Sequence, residues 1–245
     1  MIKKLILFIL LSLCVALQAS AWNPMIMTSG VGCSFSTEDF TTYTEVEPVG
    51  TTLVQVSATK VTWEDVDRDT DAYQYRDEGA AATIFDGDFT HRFETEATYT
   101  TDVFGVAGAW GLSTDLDDMN NITDGIFFEH RYDATNNKWE FKLRLWVDGA
   151  SSQVATVTAA ITQATPYFVT ITRDDDAGDN STGLITAVIR LTSHTAAVHD
   201  TISVSAPAGE QHDYRYIYVT QSLNDGNAAR NHDGYTATLE IKPCL

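Results

Sequence analysis

Carboxylates are the reactive groups this chain holds in greatest number: 34 Asp and Glu stand against 15 Lys and Arg, a formal charge of −19. Two acids on one face of a strand can divide proton transfer and nucleophilic attack, because each shifts the other's pKa. Glu94 and Glu96 meet that condition in residues 89–100, where Phe89, His91 and Phe93 take the opposite face. On a half-exposed strand the same pair is equally a solvated surface feature. Clustered oxygens also suit hard cations. Asp65, Asp67, Asp69 and Asp71 alternate in EDVDRDTDAY, and Glu78 stands twelfth counted from Asp67, as in an EF-hand loop. Ala72 in place of the turn glycine and the strand-like alternation of residues 73–76 break that match. The acidic loops 115–124 and 174–179 offer further oxygen ligands, and Asp, Asn and Gly are also what tight turns require. Calcium is thus a candidate without a fixed ligand set, and the sequence implies no other cofactor.

Other chemistries lack their residues. No G-x-S-x-G elbow, H-E-x-x-H pair or Gly-rich phosphate loop occurs. Six histidines are scattered along the chain, and only His194 and His199 approach ligand spacing. No catalytic residue is assigned.

Saccharide recognition asks for rings that stack and groups that hydrogen-bond hydroxyls. Two stretches supply both. In GIFFEHRYDATNNKWEFKLRLWVDG, Phe127, Arg144 and Trp146 share a face with Glu129, Arg131, Glu140 and Lys142. In DYRYIYVT, Tyr214, Tyr216 and Tyr218 line one face and Ile217 and Val219 the other, with Tyr73 and Tyr75 as further members if the fold brings them near. The expectation is that Trp146 stacks on a sugar ring while Arg144 bonds its hydroxyls, and that the tyrosines form a second platform. Trp146 could instead pack beneath a loop, and the tyrosines could be core.

These groups must be held by strands. Residues 125–149 alternate apolar and polar on either side of a turn-rich segment, which predicts a long β-hairpin. A four-residue loop, 134–137, pairs Tyr132 with Trp139, His130 with Phe141, Phe128 with Leu143 and Ile126 with Leu145. The same register sets Arg131 against Glu140 and Glu129 against Lys142, so charge and apolar pattern agree. Further short alternating runs recur from residue 51 to 241 between Gly, Asp, Asn, Ser and Thr clusters, and none shows a sustained helical stripe. The pattern predicts an all-β fold, one antiparallel two-sheet β-sandwich spanning residues 22–245, with an irregular N-terminal segment to about residue 50.

Residues 1–21 read as a secretory leader: Lys3 and Lys4, an apolar run over 5–17, then Ala19-Ser20-Ala21 before Trp22. That run is short for a membrane span, and nothing else approaches ~20 apolar residues. A lipid anchor on Cys14 would need a small residue before it, where Leu13 stands. The expectation is a secreted protein, extracellular or periplasmic, with no membrane insertion after cleavage. Losing Lys3 and Lys4 moves the formal charge from −19 to −21, a surface that repels phosphate backbones and argues against nucleic acid as a partner. Cys14 leaves with the leader. Cys33 and Cys244 remain as an even pair in an exported chain and are expected to form a disulfide, which requires the two ends of the domain to lie side by side.

In its order of features, FDGDFTHRFETEATY, VAGAWGLS, the hairpin, PYFVTITRD, GLITAVIRLTS and GYTATLEI, the chain resembles the concanavalin A-like lectin and glucanase jelly roll, particularly its laminin-G-like branch. The likeness covers most of residues 72–241, and AYQYRDEG and DYRYIYVTQSLNDG resemble segments of an uncharacterised secreted or phage-borne group within it. It implies two curved antiparallel sheets whose first and last strands are neighbours. Glucan-cleaving members carry Glu-x-Asp-x-x-Glu on one strand; here no glutamate has an aspartate two residues later. Tyr167 and Phe168 stand where relatives often carry a Trp-His pair. Three functions remain open: a non-catalytic module binding a polysaccharide or glycoconjugate, a surface or virion decoration protein making protein contacts, and a divergent glycoside hydrolase or lyase.

Overall fold

The computed structural model describes residues 34–47, 54–79, 87–100, 106–133, 135–178, 183–207 and 213–242. The leader, Cys33 and Cys244 lie outside them. The strands are β1 (Ser36–Thr37), β2 (Thr44–Val46), β3 (Val54–Val56), β4 (Lys60–Arg68), β5 (Tyr73–Asp77), β6 (Phe89–Thr100), β7 (Val106–Ser113), β8 (Gly125–Asp133), β9 (Lys138–Val147), β10 (Ala150–Thr156), β11 (Tyr167–Asp174), β12 (Leu184–Arg190), β13 (Val198–Ser205), β14 (Tyr216–Ser222) and β15 (Asn227–Lys242). They form two antiparallel sheets. One runs β13-β12-β11-β6-β15-β4-β3 with β1 also on β15, and the other β10-β9-β8-β7-β14-β5-β2. The fold is the expected all-β sandwich.

Period-2 patterning explains the inner faces. On β11, Tyr167, Val169, Ile171 and Arg173 are buried while the residues between them are half-exposed, and β12 alternates in the same way. Phe89 and Phe93 from β6 meet Trp110 from β7 and Phe128 from β8 across the sandwich, with Phe93 and Trp110 stacked at 6.4 Å and 9°. The hairpin register is the one its charges and apolar residues predict, Asp133 to Lys138 through Gly125 to Trp146. Asp148 and Gly149 turn the chain into β10 with φ of 52° and 73°, the two left-handed residues that a tight hairpin of this twist uses.

Two departures matter. Residues 34–47, expected to be irregular, contribute β1 to one sheet and β2 to the other, with Ser36 opposite Ile241 and Thr37 opposite Glu240. And β7 and β14 are buried along their whole length, so the middle of the seven-stranded sheet is covered on both faces.

A polar relay crosses the core. His232 Nε2 lies 3.4 Å from His130 Nδ1, and His130 Nε2 lies 2.9 Å from Thr95 Oγ1, which donates to the Tyr235 carbonyl. Trp110 Nε1 donates to His91 Nδ1 at 3.1 Å. Burial holds His130 well below the usual imidazole range and His91 at about 3 against 6.5. The unfolded chain therefore takes up the protons, and stability is complete above pH 6.5 and lost as pH falls towards the folded values. Each histidine contributes a slope of about 1.4 kcal/mol per pH unit in that window. Urea midpoints measured from pH 7 to pH 4.5 should fall steadily below 6.5; a flat profile would show that the buried imidazoles do not govern the acid limit.

Candidate functional site

The outer face of the seven-stranded sheet collects most of the residues that the sequence marks for binding, and a loop divides it in two. On the β7, β14 and β5 side, Tyr73, Tyr75, Tyr216 and Tyr218 do come together: Tyr73 and Tyr218 centroids are 6.0 Å apart, as are those of Tyr75 and Tyr216. Pairing of Tyr216 with Asp77 and Tyr218 with Tyr75 across β14 and β5 places them there. Phe127 and Trp146 join them in one apolar cluster with Met119 and Ile122 from the loop after β7. That loop is fastened to β14. Met119 N donates to Ser222 O, Gln221 Nε2 to Asp117 O and Tyr218 Oη to Asp115 O.

The exposed aromatic platform is therefore replaced by a covered one. Trp146 keeps 7 % of its surface, Phe127 and Tyr218 none, Tyr216 9 %. Tyr214, expected beside its fellow tyrosines, sits in the main core between the sheets; it precedes β14, so the alternation of that strand does not set its face. A Cβ on Gly111 would stand 2.5 Å from the Phe127 ring, and one on Gly125 2.7 Å, so these glycines open the seat that Phe127 fills. The one sequence signal for the cover was Met119 and Ile122, apolar and three apart within LDDMNNITD.

At the cover's far end Asp71, Asp117 and Asp118 bring carboxylate oxygens within 4.8 Å of one another. Asp118 is fully buried and accepts from Asn120 N, Asn121 Nδ2 and Asn224 Nδ2. Burial pushes it up to about 6 despite those bonds, and burial with the charges of Asp117 and Asp71 pushes the Tyr73 phenol up to about 12. All of Asp118's hydrogen-bond donors are neutral, so its charge is uncompensated, and the three hard oxygens that it forms with Asp71 and Asp117 suit a divalent cation. Asp88, Asp174 and Asp175 form a second, half-buried group.

The other half of the face, on β8 and β9, carries charge. Arg144 forks onto Glu129, whose side chain has no exposure, and also donates to Ser151 Oγ at 3.0 Å. Glu140 takes Lys138 at 2.7 Å on one oxygen and Lys142 at 3.4 Å on the other. Arg131, directly opposite Glu140, therefore finds that carboxylate occupied. Arg144, expected to bind sugar, is committed to holding Glu129, and the residues beside it are better placed to meet a ligand.

Elsewhere, Glu94 accepts from Tyr235 Oη at 2.6 Å on the outer face of the other sheet. His194 contacts Thr170 and His199 the Ala160 carbonyl, so that pair shares no ligand.

No protein-family model matches the sequence, and no curated protein matches it. Solved structures match in fold. An alginate lyase, Aly36B, superposes with a TM-score of 0.50 at 11% identity, over 86% of this chain and 97% of that one. A variant of it in complex with an alginate trisaccharide gives 0.51 at 9%, over 87% and 95%. The potassium-bound form of the Emp46p carbohydrate recognition domain gives 0.50 at 10%, over 84% and 90%. At 9–11% identity these likenesses show a shared two-sheet β-sandwich fold.

Proposed function

We propose that this is a secreted, non-catalytic carbohydrate-binding module that meets a polysaccharide on the charged half of the seven-stranded sheet. The observation that supports it is the placement of Arg131, Lys142 and Glu140 together on the outer face of the β8–β9 hairpin, beside the aromatic cover. Binding in this reading is mainly hydrogen bonding, since the aromatic rings are enclosed. The expected result is glycan-array binding without release of product from labelled polysaccharides. Lys142→Ala should weaken that binding by about 1–2 kcal/mol with an unchanged melting temperature. Array binding to none of the glycans, with stable capture of a protein partner instead, would favour a decoration role.

Calcium, in the same reading, is structural and held by Asp71, Asp117 and Asp118, where it would relieve Asp118 and pin the cover. Added millimolar calcium should raise the melting temperature and chelator lower it by mass action. Identical melts under both conditions would leave the cluster as hydrogen-bonded turns.

A further inference from the structure

We infer that the glycan recognised by this face carries carboxylates, making it a uronate-containing polysaccharide, and that Arg131 is the residue that reads the acid. This rests on the carbohydrate-binding reading above and adds the substrate class. The other arginines whose side chains are described are engaged: Arg76 closes on Glu38 and Glu78, Arg92 on Glu240, Arg215 on Asp77, Arg144 on Glu129 and Arg190 on the Ala196 carbonyl, and Arg173 is buried over the Tyr214 ring. Arg131 closes on no carboxylate, and its Nε is buried without an acceptor among the described residues. A guanidinium held like this is costly in the free protein and gains most from a bidentate acceptor.

Its surroundings favour an anion over a hydroxyl. Arg131, Lys138, Lys142 and Arg144 share the outer face of the hairpin with Glu129, Glu140 and Asp133, four cations against three anions on a chain whose net charge is −19. Both glutamates are already neutralised by the lysines and Arg144. Asp133 lies at the hairpin end, where its carboxylate turns back to Asn136 and Thr135. The charge of Asp133 still acts on Arg131 from the hairpin end, but with four cations to three anions the face keeps one positive charge in excess, and Arg131 is the cation on it that closes on no carboxylate. Its neighbour on the same face, Lys142, lies one strand across and one step along, so successive acidic sugars could meet first the guanidinium and then the ammonium. A planar fork matches a carboxylate better than a point charge does, which is why a uronate is chosen over a sulfated sugar.

The test is titration of the mature protein, at physiological salt, with three chains: polygalacturonate, its fully methyl-esterified form and dextran sulfate. Wild type should bind the free acid at least about tenfold more tightly than the ester, the loss expected for one charge-assisted pair. Arg131→Gln should erase that preference, so that acid and ester bind with equal affinity, and Arg131→Lys should retain only part of it. Melting temperatures of both variants serve as the folding control. Equal affinity for acid and ester overturns the inference and leaves the carbohydrate reading intact. Dextran sulfate binding as tightly as polygalacturonate overturns the assignment to uronate, and a full acid preference in Arg131→Gln removes Arg131 from the role. Failure to bind any glycan on an array overturns the reading on which the inference stands.

Discussion

Trp146→Ala is expected to destabilise the protein by about 3–5 kcal/mol, the range for emptying the site of a large buried aromatic. The ring is buried in one cluster with Phe127, Tyr218 and the loop residues Met119 and Ile122, so its removal opens a cavity in that cluster. Because that loop is tied to β14 through Met119 and Gln221, the damage should spread to the cover as a whole. Urea unfolding followed by far-ultraviolet circular dichroism measures the loss directly. Trp146→Phe, which refills most of the volume, should recover more than half of it. If Trp146→Ala instead melts like wild type while glycan binding disappears, the ring is accessible in solution and the stacking role returns.

Replacing Cys33 and Cys244 by serine is expected to cost up to about 5 kcal/mol, the loop-closure value for a crosslink spanning about 210 residues, which native strain would reduce. The register of β1 on β15 supports the pairing. Ser36 faces Ile241 and Thr37 faces Glu240, so the described segments nearest the two cysteines in sequence are neighbouring strands. Non-reducing peptide mapping should recover the linked peptide, and reduction should lower the melting temperature of wild type and leave the serine variant unmoved. Two free thiols in oxidised protein would remove the staple.

Strand existence was legible in the sequence because period-2 patterning and burial have one cause. Phe89–Thr100 and Val106–Ser113 match the runs read from the sequence at both ends, and the hairpin register followed from two independent signals that had to agree. What escaped was set by tertiary partners. The short strands Ser36–Thr37 and Thr44–Val46 carry no periodicity of their own, and the start of Asn227–Lys242 is a polar stretch, NAARNHDG, recruited by pairing with β4 and β6. The face assignment of Trp146 was right; its exposure was not. Alternation tells which side of a sheet a residue takes and carries no information about what a loop more than twenty residues away lays over that side. The same limit hid Arg131, whose importance comes from Glu140 being claimed twice over, a fact of side-chain geometry that spacing does not express.

The position of β15 bears on how the molecule comes to exist. It is the last strand of the chain, yet it lies between β6 and β4, with β1 sharing its β4 side. A nascent chain that has not yet released this segment holds two separate half-sheets, each with an open hydrogen-bonding edge, and no closed core. Pairings of such wide sequence separation are slow to form, and unpaired edges are where other chains add on. Until β15 docks between them, those two edges stay open to other chains, so closure of this sheet and protection from self-association depend on the same strand.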